Sequence, residues 1–103
     1  ILKTTIEEYI SKYEENLAMR LLEKIIAQKK INDDYFLIKL AEIYINVGEF
    51  QDAFKLTKRI SKKHICKKYQ LQFELFKLSE LFIQAEIIRE KAQKYKCSFA
   101  NVN

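Results

Sequence analysis

The residues able to do chemistry are few and badly spaced for it. His64 is the only histidine, and Lys62, Lys63, Lys67 and Lys68 surround it. Positive neighbours disfavour a bound cation, and one histidine gives too few ligands for a metal. His64 therefore reads as a link residue. Glu7-Glu8, Glu14-Glu15 and Asp33-Asp34 are adjacent pairs. Neighbours on a helix point to different sides, so these pairs make no acid/base dyad. Gly48 stands alone, and one glycine cannot build a phosphate cradle. Cys66 and Cys97 lack the C-x-x-C spacing of zinc or thioredoxin-like sites. Two free, buried thiols are the expectation; a disulfide is the alternative in an oxidising compartment. No catalytic residue, metal site or cofactor is expected, and the chain reads as a non-enzyme.

The elements that carry these residues must be helices. The chain has 103 residues, 49% of them hydrophobic, which suits one domain with a modest core. It has no proline and one glycine, so helix formers run almost without a break. No apolar run nears the ~20 residues that span a bilayer. The opening "ILKTT" has neither an initiator Met nor a signal-peptide pattern, so the chain reads as a piece of something longer. Net charge is +5, which can attract nucleic acid, anionic membrane or acidic partners. Lys outnumbers Arg 16 to 3, however, and readers of phosphate and guanine lean on Arg.

Residues 5–25 align with residues 40–60 at an offset of 35. Identities fall at Glu7/Glu42, Tyr9/Tyr44, Ile10/Ile45, Glu14/Glu49, Ala18/Ala53, Leu21/Leu56 and Ile25/Ile60. Most are spaced by threes and fours and build helix faces. Ser11-x-x-Glu14 and Asn46-x-x-Glu49 read as N-terminal capping signals. The unit is a helical hairpin whose first helix ends near Tyr13 or Val47 and whose second starts near Glu14 or Glu49. Gly48 ends a first helix in the left-handed conformation. Ala18 and Ala53 allow close helix approach. A third, fainter unit appears at an offset of 32, pairing Phe50 with Phe82, Ala53 with Ala85 and Leu56 with Ile88. Its turn falls near Ser79, rather than one helix running through 67–95. The units span about 1–30, 31–63 and 64–97. Tyr9, Phe36, Tyr44, Phe50, Phe54, Phe73, Phe76, Phe82 and Tyr95 are expected mostly in interior seams. Tyr35 is expected to be exposed.

Leu40, Ala41, Tyr44, Gly48, Phe50 and Ala53 sit where tetratricopeptide repeats place their Leu, small residue, Tyr, Gly, aromatic and Ala, at a similar period. The chain resembles that family. The first unit has Tyr13 at the glycine position, the third keeps mainly Phe82 and Ala85, and no unit has the closing proline. The resemblance implies an all-α, right-handed solenoid of about three antiparallel helix pairs, with a concave face that docks a peptide or protein. Its groove candidates are Lys3, Glu7 and Ile10, then Tyr35, Ile38, Lys39, Glu42 and Ile45, then Gln70, Glu74 and Lys77. Glu7, Glu42 and Glu74 hold equivalent places and would repel a ligand carboxylate, which favours an apolar or basic peptide.

The hairpin links put Lys29, Lys30, Lys58, Arg59, Lys62, Lys63, Lys67, Lys68, Lys94 and Lys96 on one rim, diluted by Asp33 and Asp34. Glu14, Glu15, Glu49 and Glu80 fall on the other. Helix dipoles favour this arrangement by roughly 0.3–1 kcal/mol per charge. The density from Lys58 to Lys68 supports a rival reading: an RNA-binding helical repeat, similar to pentatricopeptide proteins. A third reading is a structural segment of a larger assembly. Exposed solenoid ends would let copies associate.

Overall fold

The computed structural model describes Glu7, Glu8, residues 15–28 and residues 33–101, and the described residues are helical or in short connections. Among the described residues five helices are delimited: α1 (Glu15–Ala27), α2 (Asp34–Val47), α3 (Phe50–Thr57), α4 (Ile65–Leu78) and α5 (Phe82–Lys94). Short 3₁₀ turns follow α3 (Lys62–His64) and α5 (Ser98–Asn101). The largest packing interfaces are α2 on α3 and α4 on α5, so each short turn closes a helical hairpin. Helix α2 also packs on α1 and α4.

Sequence period explains which faces meet. In α1 the buried positions are Ala18, Leu22, Ile25 and Ile26, one stripe of a 3.6-residue helix. Helix α2 buries Phe36, Leu37, Leu40, Ala41 and Ile43, which go round much of its circumference because it has neighbours on several sides. Ala18, Ala53 and Ala85, the small residues of the repeat, are all buried. The main core joins α1 and α2 to Leu56, Ile60 and Leu71. Gln72 on α4 donates to the Thr57 hydroxyl at 3.2 Å inside this packing, and that hydroxyl donates to the Phe54 carbonyl at 2.6 Å. Both side chains are buried, so a lost partner would leave a desolvated polar atom.

The three helix ends at Val47, Leu78 and Lys94 are built alike. Gly48 has φ 85°, its N–H reaches the Ile45 carbonyl, and the Glu49 N–H reaches the Tyr44 carbonyl at 2.8 Å. This is the paired closure that satisfies the last carbonyls of a helix through one left-handed residue. Glu80 repeats it at φ 60°, with its own N–H on Lys77 and that of Leu81 on Phe76. Lys96 repeats it at φ 57°, with bonds to Gln93 and, from Cys97, to Ala92. Glu80 stands 32 residues after Gly48, the offset of the third unit. The helix break near Ser79 therefore lies where the repeat places it.

Several expectations are corrected. Asn46 is not a cap: it is the penultimate residue of α2, and Glu49 precedes α3 without a side-chain capping bond. Ser11-x-x-Glu14 lies outside the described residues. Phe82 and Tyr95 are exposed at 59% and 54%, not interior. Each stands at a helix end, and Tyr95 keeps one ring contact, with Tyr69 at 5.9 Å between ring centres. Asp33 and Asp34 do not dilute a surface rim: Asp33 caps α2 by accepting from the Tyr35 N–H at 2.9 Å, and Asp34 is buried. Cys66 and Cys97 are not free thiols but a disulfide with Cα atoms 5.3 Å apart. The α4–α5 hairpin brings its two ends together, and the bond anchors a second small core of Ala92, Cys97 and Ala100. Closing a loop of 31 residues stabilises a fold by ~3.7 kcal/mol in the chain-entropy account.

The left-handed turns make opposite predictions for two single changes. Nothing lies within 4 Å of a Cβ built on Gly48, so its conformation and not its space demands glycine. Gly48→Ala is expected to cost ~1 kcal/mol. Glu80→Gly is expected to stabilise by about 0.5 kcal/mol, because it removes side-chain strain at the same backbone geometry. Urea unfolding midpoints of the two variants check the signs.

Candidate interaction face

Helix α2 presents Tyr35, Ile38, Lys39 and Glu42 along one stripe, at i, i+3, i+4 and i+7. Helix α4 presents Lys67, Gln70, Glu74 and Lys77 at comparable steps. The two helices pack together, so the stripes run side by side. A hollow of about 570 Å³ is bounded by Asp33, Tyr35, Ile38, Lys39, Glu42, His64 and Lys67. A second, of about 500 Å³, is bounded by Gln70, Phe73, Glu74, Lys77, Leu78 and Phe99. A smaller one between them shares Lys67 with the first and Gln70 and Phe99 with the second. The three form one continuous strip.

Charge inside the strip is arranged in pairs. The Tyr35 hydroxyl donates to Glu7 at 2.9 Å. Burial, this hydrogen bond and the charges of Glu7, Asp33 and Glu42 push the phenol up to about 12. The surroundings of that hydroxyl are therefore negative. The Lys39 ammonium lies 5.6 Å from the Tyr35 ring centre and that of Lys77 lies 5.2 Å from Phe73. Lys67 sits 3.4 Å from the Glu42 carboxylate. Phe99, held near α4 by the adjoining Cys66–Cys97 bond, packs on Phe73 with ring centres 5.7 Å apart.

Asp34 adjoins the strip through His64, which borders the first hollow. This carboxylate, 7% exposed, accepts from the Ser61 backbone N–H at 3.1 Å, from the Ser61 hydroxyl, and from His64 Nδ1 at 2.7 Å. Burial alone would raise its pKa. The bonds from Ser61 and His64 outweigh that and hold it below the usual carboxylate value. Ser, Asp and His do meet here, but the serine proton goes to the carboxylate and not to the imidazole. The Ser–His contact that activates a nucleophile is missing. The arrangement is a clamp from the first turn of α2 to the link before α4.

Of the expected groove residues, the structure brings together Tyr35, Ile38, Lys39 and Glu42 with Glu7 against Tyr35, and separately Gln70, Glu74 and Lys77. Ile45 packs against the core instead of lining either hollow. Lys3 and Ile10 lie outside the described residues. His64, Phe73 and Phe99 were missed, and Lys67 was assigned to the rim. The repeat offset of 32 could have found Lys67, because it holds the place of Tyr35. The six rim candidates have different surroundings. Lys67 is in the strip, and Lys58 lies 5.0 Å over the Phe54 ring in a different hollow. Lys68 makes a long contact to the Lys58 carbonyl at 3.5 Å. Arg59 borders a fifth hollow with Glu23, Tyr44 and Leu56. Lys62 and Lys63 are exposed on their 3₁₀ turn.

No protein-family model, curated protein or solved structure matches this chain. Among the described residues no helix is long and apolar enough to cross a membrane.

The Asp34 clamp has a pH signature. A folded-state pKa below the unfolded ~3.9 gives stability that is complete above the unfolded value. It is lost as pH falls through the lowered folded value. Asp34→Asn is expected to cost about 2 kcal/mol near neutrality, the worth of a buried charge-assisted network. The difference between native protein and variant should shrink below pH ~4. Unfolding midpoints between pH 2 and 7 measure it.

Proposed function

We propose that this chain is a tetratricopeptide-like right-handed solenoid segment that binds a peptide or protein partner along the α2–α4 strip and performs no catalysis. The observation that carries this reading is the continuity of the strip: three adjoining hollows, shared residues between them, and apolar floors at Ile38, Phe73, Leu78 and Phe99. Such a preformed groove suits an extended or helical segment with apolar anchors.

The partner's charge follows from the pairing inside the strip. Lys39 and Lys77 are taken up by rings and Lys67 by Glu42. The four carboxylates Glu7, Asp33, Glu42 and Glu74 outnumber these three cations, so the strip leans negative. A segment with Leu or Ile anchors and Lys or Arg between them matches this surface. A C-terminal carboxylate would meet like charge and be rejected. The resemblance to peptide-docking repeats supports the same reading. The excess of Lys over Arg, 16 to 3, weakens the RNA alternative, because readers of phosphate and guanine lean on Arg.

Fluorescence anisotropy with short labelled peptides tests it. Apolar-basic peptides are expected to bind more tightly than their Lys→Glu versions. Glu42→Lys with Glu74→Lys is expected to weaken binding at least tenfold, ~1.4 kcal/mol. Lys62→Glu with Lys63→Glu should leave it unchanged. Indifference to the glutamates, or retention of RNA that depends on Lys62 and Lys63, would reject the proposal in favour of the basic turn.

A further inference from the structure

A second surface, sharing no residue with the strip, carries both halves of a contact. Its first half is a hollow of about 350 Å³ bordered by Phe50, Phe54, Leu75, Phe76 and Leu81, with Lys55 and Lys58 at its edge. It exists because α3 is only eight residues long and shares little contact with α5. Its second half is the ridge that starts at the hollow's own border. Leu81 leads directly into Phe82, Ile83 and Ile87, exposed at 59%, 76% and 47%. Ile83 and Ile87 are one helical turn apart, so they form a single apolar column on α5. Glu86 and Glu90 lie beside it, both exposed, and Glu86 is bonded only within its own helix, to Arg89 at 2.7 Å.

We propose that this surface is a two-fold interface between two copies of this chain, with the α5 ridge of each copy seated in the Phe50–Phe54–Phe76 hollow of the other. A two-fold contact requires one patch to complement itself. This patch does so in shape, ridge next to hollow, and in charge, Glu86 and Glu90 beside the ridge and Lys55 and Lys58 beside the hollow. Each apposition then covers apolar area that a monomer leaves in water, and opposite charges at the edge fix the register. The peptide strip stays open on both copies.

Sedimentation equilibrium of the chain over a wide concentration range tests the proposal. The native chain is expected to move from monomer to dimer and stop there. Ile83→Glu, at a position open enough to leave the fold intact by circular dichroism, should weaken the dimer at least tenfold. Two charge variants sharpen the test: Lys55→Glu with Lys58→Glu, and Glu86→Lys with Glu90→Lys. Each alone should be monomeric, because like charges meet, and their equimolar mixture should dimerise. A native chain that stays monomeric at millimolar concentration would overturn the proposal. So would growth beyond the dimer, or a dimer indifferent to Ile83→Glu.

Discussion

One buried carboxylate fixes how the α2–α3 hairpin meets the α4–α5 hairpin. The α3–α4 link buries Ile60 in the core but is otherwise polar and rich in lysine, so the part that leads into α4 needs a further anchor. Asp34 provides one by gathering the Ser61 N–H, the Ser61 hydroxyl and His64 Nδ1 at one point. That point belongs to the first turn of α2, while the residues it gathers lead straight into α4. The lateral register of α2 against α4 follows, and with it the alignment of the Tyr35–Glu42 stripe against the Lys67–Lys77 stripe. Moving the link by one residue would place different side chains opposite Glu42 and break the strip into separate dents.

The ends of the helices show where strain is tolerated. Gly48, Glu80 and Lys96 have the same left-handed backbone, yet only the first is glycine. The Glu80 and Lys96 turns belong to the α4–α5 hairpin, which is also the one closed by the disulfide. A hairpin held covalently at its open end can carry a costly turn at the other. The hairpin of α2 and α3 has no such bond and keeps the inexpensive residue. Stability is thus distributed differently in the two hairpins, although their backbones are alike.

Much of this was legible in the sequence. Gly48, the buried alanines at 18, 53 and 85, and the break near Ser79 follow from spacing and from the scarcity of breakers, which are local properties. That Tyr35, Ile38, Lys39 and Glu42 share one face was legible for the same reason, because a helical face is periodic. What was not legible depends on contacts across the chain. Asp34 looks like half of a surface pair until α2 and the link come together around it. Phe82 aligns with Phe50 in the repeat, but no helix among the described residues covers it. The disulfide needed the actual separation of two hairpin ends, and Glu80 and Lys96 carry no residue-type signal of a left-handed turn. Asn46 misled because a capping pattern also fits the last turn of a well-packed helix.

The central claim is that α2 and α4 together form one recognition surface. Amide chemical-shift mapping of the labelled protein, titrated with a peptide of leucine anchors separated by arginines, tests it most directly. The account predicts perturbations that follow Tyr35, Glu42, Lys67, Gln70, Glu74 and Lys77 in a single contiguous track, saturating with one affinity. Shifts confined to the Lys62–His64 turn or to the α5 ridge, or two groups of shifts saturating independently on α2 and α4, would contradict it.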